Sequence, residues 1–193
     1  MRRITAAAAA TGKTVVGWHE LGASTDLPAG TIGQYWNYVE PEDDHHVELV
    51  RSFVAQGGRL IMSPADVAYL DMKYPDGVEK DGRELGLQWA KGATTLDEAY
   101  GWEPTAIIDG IGDAEILGVE APIWAETLRR IDDVEFMAFP RMAAIAEIAW
   151  SPAPEAGAGR DADDFAGRVA ALGERWDVLG VAYHRVDGVP WTE

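Results

Sequence analysis

The sequence contains no cysteine. That excludes a disulfide framework and rules out thiolates as nucleophiles or metal ligands. It leaves the compartment open, because a chain of 193 residues needs no covalent staples to build a core. Long apolar runs are also missing, and nothing approaches the roughly 20 residues that cross a bilayer. Met1-Arg2-Arg3-Ile4-Thr5 and the alanines Ala6 to Ala10 faintly mimic a signal peptide. The apolar part is alanine rather than leucine, and Lys13 follows at once, so the segment reads as helix. Positive charge is scarce: 16 Lys and Arg stand against 33 Asp and Glu, a formal net charge of -17. Such a field repels nucleic acid and anionic membrane, so neither is an expected partner. No Walker loop or GxGxxG follows a strand-like run, and no serine sits in a GxSxG elbow.

What is present is an alternation of strand and helix. Residues 3–11 read as helix by alanine content, with Gly12 as the stop. Residues 14–18 and 31–36 read as strands, separated by a loop over 22–30. Acidic residues at 40–44 open a helix, where they oppose its dipole. Val47, Val50 and Val54 put an apolar stripe on it, and Gly57-Gly58 ends it. Arg59-Leu60-Ile61-Met62 is the next strand. Residues 64–113 read as irregular, and a loop of that length in a domain is usually functional. A strand is expected over 116–124. A helix follows from Arg141 to Trp150 with Met142, Ile145 and Ala149 on one face. Ser151 to Gly159 is a connector. Phe165, Val169, Leu172, Trp176 and Leu179 mark a final helix. This order implies an α/β fold with parallel pairing and right-handed crossovers.

Trp18, Trp36 and Trp124 each close a strand-like run. An aromatic in a strand is more often core than site. Side chains at the carboxyl ends of parallel strands, however, share one mouth in an α/β barrel. Glu20 lies near Trp18 and Glu126 near Trp124, a mix of flat apolar wall and acceptor that suits a sugar. Tyr69 and Asp71 are two apart, so an extended backbone points both one way. A solvated loop aspartate and a surface glutamate are the plainer readings of Asp71 and Glu126. His45-His46 diverge on a helix and read as exposed histidines rather than a metal site. His19 and His184 have no partners in the sequence. The acidic tract at 40–44 lacks the spacing of a calcium loop. Trp150 and Trp176 fall on apolar helix faces and read as core.

Five stretches then carry a resemblance: Val16-Gly17-Trp18-His19-Glu20, Gln34-Tyr35-Trp36, Tyr69-Leu70-Asp71-Met72-Lys73-Tyr74, Gly118 to Glu126, and Phe139-Pro140-Arg141-Met142-Ala143. In order and spacing the chain resembles the C-terminal half of the catalytic barrel of glycoside hydrolase family 20, the β-N-acetylhexosaminidases, actinobacterial members above all. The resemblance implies about four strands of a TIM (β/α)8 barrel, with residues 1–193 as one partial catalytic domain. It implies that Trp18, Trp36 and Trp124 wall the acetamido group of the terminal sugar, and that Tyr69 donates to the acetamido carbonyl. It further implies that Asp71 and Glu126 accept from sugar hydroxyls and that Trp89 stands at the mouth. No metal or cofactor is implied. Family members are a substrate-assisted exception among retaining glycosidases, the acetamido oxygen attacking the anomeric carbon.

The resemblance also carries a departure. Family members place an adjacent Asp-Glu pair, orienter and general acid, before the region matched here, and an arginine earlier still. Asp97-Glu98 lies after the Tyr69 segment and does not match that pair; Arg2 and Arg3 do not match the arginine. The expectation is therefore a chain lacking the catalytic pair, a truncated gene product, a fragmentary gene model or one half of a split enzyme, inactive alone. Expected ligands are oligosaccharides ending in N-acetylglucosamine or N-acetylgalactosamine, and a further expected partner is a separate chain carrying the N-terminal half of the barrel. A non-catalytic amino-sugar-binding remnant is the alternative. Localisation stays open, although family members are often secreted.

Overall fold

Four short runs of β-branched and glycine residues pair as a parallel sheet in the computed structural model, which describes residues 2–75, 77, 79–155 and 158–192. The sheet order is β1 (Val16–Trp18), β2 (Ile32–Tyr35), β3 (Arg59–Met62) and β6 (Ile116–Val119). Val16 pairs with Ile32, Gly33 with Leu60 and Met62 with Val119. This is the α/β fragment the sequence implied, with four strands in parallel register.

The chain divides into two compact units, Met1–Ala65 with Glu103–Glu120, and Asp66–Trp102 with Ala121–Glu193. The first holds α1 (Arg2–Ala9), the whole four-stranded sheet and α2 (Asp44–Ala55). Asp43 caps α2 by accepting from the His46 amide at 3.2 Å. Gly57, with φ +82, ends the helix region as expected. Leu49, Val50 and Phe53 are the buried stripe of α2. Of the three valines expected there only Val50 is buried, because Val47 and Val54 flank the true stripe. Gly33 and Gly58 make room for the Phe53 ring: a Cβ at either would stand within 2.8 Å of it.

The second unit holds the hairpin β4 (Glu79–Lys80) and β5 (Arg83–Glu84), α4 (Leu96–Tyr100), α5 (Ile131–Ala138), α6 (Arg141–Trp150) and α7 (Ala162–Leu179). The chain crosses between the units three times in sequence, within α3 (Ala65–Ala68), after Trp102 and after Glu120. Residues 64–113 are thus not wholly irregular, and α5 is a helix that the sequence pattern did not reveal. Asp161 caps α7 through the Asp164 amide at 2.9 Å, and Gly180 closes it with φ +71. Tyr100 stacks on Phe165 with centroids 4.0 Å apart, joining α4 to α7. Trp176 is buried, as expected of core. Trp150 is 90% exposed and is not core. The buried face of α6 is Arg141, Ala144, Ile145 and Ile148, so Met142 and Ala149 do not belong to it. In the connector expected over 151–159, residues 156 and 157 lie outside the described ones.

Candidate functional site

In the first unit the parallel register sets Trp18 beside Gln34, two residues before Trp36. Trp18 ends β1 and is 41% exposed. Trp36 follows directly after β2 and is half-buried. Its indole Nε1 donates to Glu20 Oε1 at 2.8 Å. The carboxylate two residues past Trp18 is thus engaged by Trp36. His19 is fully buried, and its Nε2 lies 2.8 Å from His46 Nδ1. Burial lowers the His19 pKa to about 4; the Glu20 charge opposes the shift and His46 adds to it. His19 is therefore neutral at pH 7. His45 is exposed as expected, but His46 is half-buried and bonded to His19, which corrects its reading as an exposed helix histidine. A pairing across 27 positions leaves no local pattern to find it by.

In the second unit the Tyr69-Leu70-Asp71 segment is held by its middle residue. The Leu70 amide donates to the Pro122 carbonyl at 2.8 Å. The Leu70 carbonyl accepts from Arg141 Nη2 at 2.7 Å. The first of these bonds also explains a correction. The strand expected over 116–124 stops at Val119, and Trp124 lies five residues past its end. Pro122 has no N–H to offer a ladder, and its carbonyl is taken by Leu70. Trp124 is nonetheless half-exposed, as is Trp89. Both face Tyr69, with centroids 5.8 Å away for Trp89, edge-on, and 6.5 Å for Trp124. Lys73 N–H to Leu87 carbonyl at 2.7 Å and Leu87 N–H to Asp71 carbonyl at 2.8 Å tie the Trp89 loop to the same segment.

Asp71 is 1% exposed; among the described residues no side chain bonds its carboxylate, and the backbone amides of Trp124 and Asp71 approach it without full hydrogen-bond geometry. A solvated loop aspartate is excluded. Burial raises its pKa to about 6, and the nearby Glu126 charge pushes the same way. The backbone amides of Trp124 and Asp71 and the Arg141 charge counteract this in part. Glu126 itself is exposed. Arg141, quoted above only as part of a motif, is fully buried. Besides Leu70 it donates to the Met137 carbonyl at 3.0 Å and lies 4.0 Å from the Tyr74 ring centroid. Its place at the start of an apolar helix was the available signal.

Asp97-Glu98 has a structural explanation. Thr95 and Glu98 form a reciprocal cap on α4, the Thr95 amide donating to Glu98 Oε2 at 2.7 Å. Among the described residues no three His, Asp or Glu side chains converge as metal ligands. The second unit instead joins exposed indole faces, a phenol and a buried carboxylate with no side-chain partner among the described residues. That set accommodates a neutral polyol with one apolar face.

The profile of glycosyl hydrolase family 20, catalytic domain, matches residues 1–153. A β-N-acetylhexosaminidase of Cellulomonas fimi is 42% identical over 180 residues, 93% of this chain and 33% of that protein. A family 20 β-N-acetylglucosaminidase superposes with a TM-score of 0.88 at 47% identity, covering 98% of this chain and 39% of the other. A mutant Streptomyces plicatus β-hexosaminidase in complex with product (GlcNAc) superposes with a TM-score of 0.86 at 40% identity, over 100% of this chain and 36% of the other. The chain therefore spans between a third and two-fifths of the length of these relatives.

Proposed function

On the ground that this chain belongs to glycosyl hydrolase family 20, we propose that residues 1–193 are part of the catalytic domain of an exo-β-N-acetylhexosaminidase and bind the terminal N-acetyl-hexosamine of an oligosaccharide. The observation that carries this reading is Asp71, a buried carboxylate with no side-chain partner among the described residues, beside the aromatic group of Tyr69, Trp89 and Trp124. A sugar hydroxyl supplies what that carboxylate lacks. Hydrogen bonds to a charged acceptor contribute about 1.5–3 kcal/mol each.

The remaining roles follow the family resemblance. Trp18, Trp36 and Trp124 are apolar walls for the acetamido group, and Trp89 stands at the mouth. Tyr69 donates to the acetamido carbonyl, and Glu126 accepts from a hydroxyl. In the reaction the acetamido oxygen attacks the anomeric carbon as the bond to the leaving oxygen breaks, giving an oxazolinium-like intermediate. The part of these residues is to hold the attacking oxygen in line and exclude water. Protonation of the leaving group falls to an Asp-Glu pair that Asp97-Glu98, whose glutamate is engaged in the α4 cap, does not supply; a separate chain carrying the N-terminal half of the barrel is one source. The 193 residues alone are thus expected to bind and not to turn over.

Calorimetric titration with N-acetylglucosamine and N-acetylgalactosamine tests the assignment. Binding that is about tenfold or more weaker in Asp71→Asn, with no nitrophenol released from a chromogenic N-acetylglucosaminide, is the expected result. Failure of the folded chain to bind either sugar would refute it.

A further inference from the structure

His19, buried below Trp36, has no part in the binding scheme above, yet its surroundings are built around it. We propose that Glu20, His19 and His46 form a relay that positions Trp36, with Glu20 deciding which nitrogen of each histidine carries the proton. The functional side of this rests on the assignment of Trp36 to the sugar.

The Trp36 indole N–H can only donate, and Glu20 Oε1 takes it at 2.8 Å. The second oxygen of Glu20 is buried without a hydrogen-bond partner and lies 3.9 Å from His19 Nδ1. That distance exceeds a hydrogen bond. A carboxylate at this range still favours an N–H over a lone pair on the facing nitrogen. The backbone of Gln34 also favours a proton on the His19 ring. A neutral imidazole has one proton. Carried on Nδ1, it leaves Nε2 as an acceptor. The 2.8 Å contact with His46 Nδ1 then requires His46 to donate. His19 is thus the Nδ1–H form, and His46 carries a proton on its Nδ1.

The same rings brace the indole. The His19 centroid is 6.0 Å and the His46 centroid 5.9 Å from that of Trp36, the latter edge-on at 82°. Glu20 sets the direction of the indole N–H, and the imidazoles set the plane of the ring. His46 enters from α2, so the orientation of Trp36 is tied to a helix that carries none of the proposed sugar contacts.

Long-range 15N–1H correlation spectra of histidine-labelled chain read the protonated nitrogens directly. Both histidines are expected to carry a proton on Nδ1. Glu20→Gln keeps an acceptor for the indole but turns an amide N–H toward His19, so both rings are expected to switch to Nε2–H. Affinity for N-acetylglucosamine is expected to fall about fivefold, the scale of coupling within one hydrogen-bonded network. His46→Phe keeps a ring in place and removes the donor; it should shift the Trp36 indole N–H resonance and lower affinity similarly. If Glu20→Gln does not fold, His46→Phe decides, because His46 is only half-buried. Unchanged protonated nitrogens in Glu20→Gln overturn the relay. Binding weakened in Asp71→Asn but kept in full in both relay variants also overturns it and leaves the sugar assignment standing. A folded wild-type chain that binds no sugar overturns the assignment and the relay's role in binding together.

Discussion

Asp71 sits where a carboxylate is least comfortable, and two measurable consequences follow. Its pKa rises from 3.8 to about 6, chiefly through burial. The folded state thus holds the proton to higher pH than the unfolded chain does. The Asp71 contribution to stability is greatest below pH about 4, is lost as pH rises to about 6, and is absent above; it amounts to about 3 kcal/mol. Asp71→Asn should abolish this slope in denaturant titrations at pH 4 and 7.5. Binding has the opposite sign, because a sugar hydroxyl donates to the ionised form. Affinity for N-acetylglucosamine should climb through pH 6 in the wild type. It should be about tenfold or more weaker and pH-independent in Asp71→Asn. Arg141 bears on both. Arg141→Met leaves the Leu70 carbonyl unfilled and the Met137 carbonyl with only the Tyr74 hydroxyl at 3.4 Å, and should cost about 2–4 kcal/mol. It also removes a positive charge that favours the Asp71 anion, so the rise in affinity should move above pH 6. Tyr69 and Asp71 were legible as candidates from their spacing. The burial of Asp71 and the inward turn of His46 were not, since each depends on residues far away in the chain.

At the scale of elements, periodicity succeeded where a segment was long and one-sided and failed where it was neither. The α7 helix was legible from its apolar repeat, of which Phe165, Val169 and Trp176 are buried while Leu172 is half-buried and Leu179 at the end is exposed. The α5 helix has only eight residues, too few for a repeat to stand out. The α6 helix, Arg-Met-Ala-Ala-Ile-Ala-Glu-Ile-Ala-Trp, is apolar nearly all round, so its sequence marks no face. Its rotation is decided by Arg141, whose guanidinium must reach the carbonyls of Leu70 and Met137. Trp150 is turned to solvent as a result. One glycine shows how closely elements approach. A Cβ on Gly22 would stand 1.9 Å from the Leu49 carbonyl oxygen of α2. That is backbone and cannot swing aside, so Gly22→Ala should destabilise by about 1–3 kcal/mol, read from the shift of the urea midpoint at constant slope.

For the chain as a whole, a formal net charge of -17 on 193 residues is a standing self-repulsion. Salt screens it, with a Debye length of about 10 Å at 0.1 M. Raising sodium chloride from about 0.02 to 0.5 M should therefore raise Tm by several degrees, measured by calorimetry at pH 7.5; an unchanged Tm would mean that the acidic residues are locally compensated. By itself the sequence determined the four parallel strands and the longer helices α1, α2, α6 and α7, together with the aromatic and acidic residues that carry a family resemblance, because these follow from local periodicity, turn residues and charge. Only the tertiary structure decided that Trp124 leaves its strand for a chain segment bonded to Leu70, that Asp71 is buried with no side-chain partner among the described residues, and that His46 reaches His19. Each of these is a balance of desolvation against a partner distant in sequence, and such a balance has no local signature.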